Sequence, residues 1–113
     1  MAKLERYEFG QVVVEGRQET RDLIVLPHRI VRDWWRAEGH ILDLSDLAPV
    51  FDELPERLIV GCGASMRMRP KADLLAHLQE RGIAVEVLPT AEAVRRYAEL
   101  DPARTAVALH LTC

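Results

Sequence analysis

The sequence predicts a layered α/β domain, on three observations. The second half alternates short aliphatic runs with amphipathic stretches of helical period, in the order β-α-β-α-β. The stretch up to Trp35 holds only extended runs punctuated by glycine and proline, which read as an antiparallel meander. The last apolar run has no wet face, as in a strand covered on both sides. With 113 residues, 49% hydrophobic and 29% charged, the chain is one domain's worth of polypeptide, 1–113, and not a disordered one.

Tyr7 and Phe9 alternate with Arg6 and Glu8, giving one apolar face. Gly10 and Gly16 bracket the β-branched run Gln11 to Glu15. Leu23 to Leu26 is a further strand stopped by Pro27, and Arg29 to Trp35 is placed to pair with it across the Pro27-His28 turn. Asp43 or Ser45 caps a short helix whose apolar positions are Leu47, Val50, Phe51 and Leu54, with Pro49 in its first turn and Pro55 ending it. Arg57 to Val60 is a strand running into Gly61-Cys62-Gly63. A helix then opens at Pro70, buries Leu74, Leu75 and Leu78, and closes on Gly82. Ile83 to Leu88 is the next strand. Thr90 caps the following helix, with Glu92 in its first turn and Val94, Tyr97 and Ala98 facing inward. Thr105 to Leu111 is the last strand, expected inside the sheet. A strand–helix–strand crossover makes the first two strands of this half parallel, and leaves the direction of the last one open.

Fifteen basic residues against eighteen acidic ones give a net charge of −3, so no basic excess exists to hold a nucleic acid. No apolar run approaches the roughly 20 residues that cross a bilayer. Met1 to Glu8 carries charge and no apolar core of a signal peptide, so no leader is expected. With cysteine only at positions 62 and 113, a disulfide framework is excluded and a reducing cytoplasm is the expected setting.

Chemistry can reside in two places. Gly61-Cys62-Gly63-Ala64-Ser65 follows a strand and precedes a helix, and Arg67, Arg69 and Lys71 come next with no acid between them. Backbone amides with these cations suit a phosphate or carboxylate, so Gly61, Cys62, Gly63, Arg67 and Arg69 form a candidate anion site. Met66 stands where a dinucleotide fingerprint has its third glycine, and a plain tight turn explains the same residues. Cys62, between glycines and near two arginines, is the one nucleophile candidate, with His40 as a conceivable partner. The second place is Asp33 to His40. Of the adjacent Trp34 and Trp35, one is expected in the core and the other at the surface, so Trp35, Arg36 and His40 form a candidate interaction surface. His40 with Glu38 also has the makings of a general base and its orienting acid. His28, His40, His77 and His110 lack the close spacing of metal motifs, and His110 reads as a hydrogen-bonded core histidine.

Five segments occur together in order: Tyr7-Glu8-Phe9-Gly10, Trp34-Trp35-Arg36-Ala37-Glu38-Gly39-His40, Gly61-Cys62-Gly63-Ala64, Pro89-Thr90-Ala91-Glu92-Ala93-Val94 and Ala108-Leu109-His110-Leu111-Thr112-Cys113. In this the chain resembles the Mth-type domain family of unknown function. That family includes an adipogenesis-associated Mth-domain-containing protein and the mitochondrial complex I assembly factor three. The resemblance implies a three-layer fold with a central mixed sheet, no established activity and no cofactor, and relatives that act through other proteins. Thr is usual in the family where Cys62 stands, so thiol chemistry gains no support, and Asn is usual where Ala98 stands.

The function expected is therefore that of a non-catalytic cytoplasmic domain that binds another protein, in the manner of an assembly factor. The rival is a small-molecule binder or enzyme that holds an anion on the Gly61–Gly63 loop with Arg67 and Arg69. A homodimer stays open as the assembly.

Overall fold

A computed structural model describes residues 4–113, and the expected absence of a leader concerns positions that begin outside them. Strands β1 (Leu4–Glu8), β2 (Gln11–Val14) and β3 (Arg17–Glu19) form the antiparallel meander, in that order. Next come β4 (Leu23–Val25), β5 (Ile30–Val31), β6 (Ile41–Leu42) and α1 (Leu44–Leu47), which continues as a 3-10 stretch over Ala48–Glu53. The alternating half supplies β7 (Arg57–Cys62), β8 (Arg69–Pro70), α2 (Ala72–Glu80), β9 (Ala84–Leu88), α3 (Thr90–Ala98) and β10 (Thr105–His110). The central sheet has the order β5-β4-β10-β7-β9. Strands β9, β7 and β10 are parallel, whereas β4 runs antiparallel to β10 and β5 antiparallel to β4, so the sheet is mixed. Strands β6 and β8 form a separate parallel pair.

The expected N-terminal meander is thus split. Strands β1 to β3 make their own sheet, while β4 and β5 join the central one. The reason lies in composition: Leu23, Ile24 and Val25 are all apolar and bury both faces, whereas β3 is polar and stays at the rim. Three other expectations shift locally. The run Arg29 to Trp35 is paired only at Ile30 and Val31, because Asp33 turns the chain with φ +55°. The Leu44–Glu53 segment is α-helical for one turn only, since Pro49 lacks the N–H that would continue the ladder. Pro70 lies in β8, and α2 starts at Ala72. The closure of α2 is as expected: Gly82 sits at φ +76°, with Gly82 N–H on the Gln79 carbonyl (2.9 Å) and Ile83 N–H on the Leu78 carbonyl (3.0 Å), a Schellman cap.

Strand β10 divides the interior into two halves. Ala106 and Ala108 face a core with Leu58, Val60, Leu74 and Leu78, beneath α2 and the 3-10 stretch. Val107, Leu109 and Leu111 face the other core with Ile59, Ala93 and Tyr97, beneath α3 and the meander. Ala93 takes the inward place expected of Ala98, which is exposed. The result is three layers around one mixed sheet. At its β9 edge Glu86 bonds Arg57 (2.6 Å) and Arg96 (2.8 Å), putting charge in the middle of an otherwise aliphatic strand and blunting the edge against further pairing.

Removal of residues 107–113 takes the middle strand out of the sheet. The side chains of Val107, Leu109 and Leu111 alone contribute about 1.5–3 kcal/mol each, against a net stability of about 5–15 kcal/mol for a domain of this kind. The truncated chain is expected to show no cooperative thermal transition by circular dichroism; a soluble truncation that melts cooperatively contradicts the central role of β10.

Candidate functional site

The segment after β5 is fixed at several points. Trp34 donates its backbone N–H to the Asp22 carbonyl (2.9 Å) and its indole N–H to the Asp46 carbonyl (3.0 Å). The Asp46 carboxylate accepts from the Ala37 and Asp43 amides at 3.2 and 2.9 Å. With Trp34 locked inward at 8% exposure, its neighbour Trp35 stands 79% exposed, which is the division of roles expected for the pair. The segment is irregular rather than a strand.

Arg36 does not join Trp35 on the surface. It is buried, and the expectation of a surface residue is corrected here. Its Nη1 donates to Asp22 Oδ2 (2.8 Å) and its Nη2 to the Gly39 carbonyl (3.1 Å), while the guanidinium lies 4.9 Å from the Trp34 ring centre. Asp22 Oδ1 accepts from the Leu111 amide (2.9 Å), and Oδ2 also lies 2.8 Å from His110 Nδ1. His110 Nδ1 in turn is 3.0 Å from Arg36 Nη2. A carboxylate only accepts, so the ring bonds Asp22 when Nδ1 carries the proton; Arg36 Nη2, which only donates, then has its acceptor in the Gly39 carbonyl and not in Nδ1. Nε2 then faces the Thr112 hydroxyl at 3.5 Å, the outer limit of a hydrogen bond. Burial pushes the Asp22 carboxyl up, but the bonds from His110, the Leu111 amide and Arg36 outweigh it and hold the group below its ordinary range. His110 is the hydrogen-bonded core histidine that its apolar strand predicted.

The glycine loop is built around the chain segment after β10. Gly63 has φ +97°, and a Cβ there would come within 2.1 Å of the Cys113 carbonyl carbon, so this position requires glycine. Gly61, inside β7, is packed under Leu109 and Thr90. The loop amides are already engaged: Gly63 N–H by Thr90 Oγ1 (2.8 Å), Ala64 N–H by the Thr112 carbonyl (2.7 Å) and Arg67 N–H by the Cys113 carbonyl (3.0 Å). Thr90 is the first residue of α3, after Pro89, and not its cap; its hydroxyl donates to the His110 carbonyl (2.6 Å) while accepting from Gly63. The cradle of free backbone donors expected for an anion is therefore taken up by protein partners. Cys62 is likewise corrected: it is fully buried in β7, and burial pushes its thiol up to about 11 despite the nearby Arg69 and Arg36. The arginine side chains of the loop, Arg67 and Arg69, are exposed.

His40 and the loop do meet. The Arg69 amide donates to the His40 carbonyl (3.0 Å) where β6 and β8 pair, and the His40 ring stands edge-on to His110 with 6.5 Å between centres. Trp35 borders a hollow lined also by Val31, Ser45 and Pro49. Phe9, expected on an apolar face, is 65% exposed at the turn between β1 and β2. Asp22 was not foreseen. It lies 88 residues from its partner His110 in the chain, and no local pattern marks it.

A family model described as "Protein of unknown function (DUF498/DUF598)" matches residues 4–112. The chain is similar to a conserved hypothetical protein of Pyrococcus horikoshii, with 25% identity, 98% of this chain and 99% of that one covered, and a TM-score of 0.83. It is similar to a protein named MT938 at 25% identity over 100% of both chains, with a TM-score of 0.76. A Bordetella pertussis protein described as a Mth938-like domain shares the fold at 19% identity, covering 97% of this chain and 85% of its own, with a TM-score of 0.64.

Two outcomes test the ties around His110. Replacing Thr90 with valine keeps the shape but leaves a buried N–H and carbonyl unpaired, an expected loss of about 2–4 kcal/mol in urea unfolding. Because the Asp22 carboxyl is held low in the fold, its contribution is present above the ordinary carboxyl range and is lost as pH falls through the folded value. Stability should therefore fall below about pH 4 in the wild type, and less steeply in Asp22→Asn, which starts from a lower plateau. Parallel pH profiles for the two proteins contradict this account.

Proposed function

The chain belongs to the DUF498/DUF598 family of unknown function, an Mth-type domain family, and from that premise we propose that it is a non-catalytic domain that binds another protein. One observation carries the reading: a tryptophan that is almost wholly exposed, on a segment whose adjacent residues are both anchored inside. Trp34 and Arg36 hold the backbone on either side of Trp35, so a partner that covers the indole orders little that is not already ordered. Large aromatic side chains presented in this way dominate protein interfaces.

His40 and the Arg67 and Arg69 side chains extend the proposed surface along the β6–β8 edge. Arg36 supports it from beneath. The Asp22 carboxylate, which would be the acid partner of a catalytic histidine, is shared among three donors and reads as a structural tie. Among the described residues no helix is long and apolar enough to cross a membrane. Two unpaired cysteines, one sealed inside β7, suit a cytoplasmic setting, where an assembly-factor-like role would place the whole 1–113 unit.

Trp35→Ala is expected to leave stability within about 0.5 kcal/mol, as for other surface changes. Affinity capture from the native cell, compared by mass spectrometry, should then lose at least one species that the wild type retains. Identical sets of captured proteins from the two would end this reading of Trp35.

A further inference from the structure

We infer that Arg67, Arg69 and Lys71, flanked by His40, form a docking strip for an extended acidic segment of another protein whose carboxylates stand at alternate positions. This names the partner's chemistry for the protein-binding reading above and rests on it.

The segment is extended and its burial alternates. Arg67, Arg69 and Lys71 are exposed, Met68 between the first two is fully buried, and Pro70 is half-buried. The alternation places Arg67, Arg69 and Lys71 on one side, and an extended backbone repeats every two residues at about 6.6–6.8 Å. The backbone that carries them is fixed by its own hydrogen bonds: Met68 N–H to the Cys62 carbonyl (3.2 Å), Arg69 N–H to the His40 carbonyl (3.0 Å) and Lys71 N–H to the Leu42 carbonyl (2.9 Å).

The cations of the strip also form no ion pair among the described residues, unlike most arginines of the molecule. Nine arginines lie within 4.0 Å of a carboxylate. Arg67, Arg69 and Lys71 have no such partner among the described residues. Lys71 borders a hollow that also contains Glu38, Asp43 and Asp46, so the positive field is strongest at Arg67 and Arg69.

An extended peptide with acids at positions i, i+2 and i+4 presents carboxylates at the same repeat, and each arginine fork matches a carboxylate in two-point fashion. A single-stranded nucleic acid fits less well. Bases need aromatic platforms, and the exposed rings Trp35 and Phe9 stand on other segments, while a net charge of −3 opposes a long polyanion. A free phosphate can engage the arginines but gains nothing from their spacing.

The test is fluorescence anisotropy at low salt with the full chain and a labelled acetyl-Glu-Val-Glu-Val-Glu-amide. The controls are an isomer with its three glutamates contiguous, a labelled oligouridylate, and inorganic phosphate as competitor. The alternating peptide is expected to bind saturably and at least about five-fold more tightly than its isomer. Arg67→Glu/Arg69→Glu should weaken it at least about ten-fold, with the unfolding midpoint kept, because both side chains are exposed and make no ion pair among the described residues. Should that variant not fold, Arg67→Gln/Arg69→Gln carries the same test with a smaller loss. Equal affinity for the two peptides overturns the proposal. So does indifference to the arginine changes, absence of saturable binding at millimolar peptide, or tighter binding of oligouridylate or phosphate. If the peptide fails while Trp35-dependent capture persists, the strip is refuted and the protein-binding reading stands.

Discussion

A guanidinium taken out of water must be neutralised, and around Arg36 that requirement organises the whole end of the molecule. Its partner, Asp22, precedes β4; the third member, His110, ends β10; and the backbone that carries Arg36 leads out of β5. Breaking one side of such a buried pair leaves an uncompensated charge, typically a loss of about 3–5 kcal/mol. Three segments distant in sequence are thereby held to one point. The exposed position of Trp35 is a by-product of this: with Trp34 in the core and Arg36 on Asp22, the residue between them has nowhere to go but outward.

Local pattern carried much of the architecture. The apolar run after Thr105 has no polar face, and β10 is buried on both sides. Gly82 after an amphipathic stretch marks a helix end, and it closes α2 with a left-handed cap. Failures cluster where tertiary contacts decide. Nothing local says that Leu23 to Val25, while keeping β5 on one side, leaves β1 to β3 and pairs on the other with a strand more than eighty residues away. The pairs β6 and β8 are two residues long, too short for any periodic signal. Pro70, a good first residue of a helix, is instead held in β8 because its neighbours Arg69 and Lys71 donate their amides to the carbonyls of His40 and Leu42.

The candidate site was legible by residue type and not by role. Gly63, Thr90 and His110 stand out in the sequence, yet their purpose appears only when Thr90 is seen bridging the Gly63 amide to the His110 carbonyl. The same bridge explains why the loop is poor at holding an anion through its backbone: the amides of Gly63, Ala64, Met66 and Arg67 already face acceptors. Cys62 illustrates the limit of neighbour-based reasoning about reactivity. Two nearby arginines pull the thiol toward ionisation, but removal from water pushes harder in the other direction.

The order of strands in space is not their order in synthesis, and β10 is the extreme case. While the ribosome is still making α3, the growing polypeptide already contains β4 and β7, but the member that must lie between them does not yet exist. Until it emerges, both would-be neighbours display unsatisfied edges lined with Leu, Ile and Val. Assembly of the sheet must therefore wait for β10 to clear the exit tunnel, and the nascent intermediate is the form most in need of a chaperone.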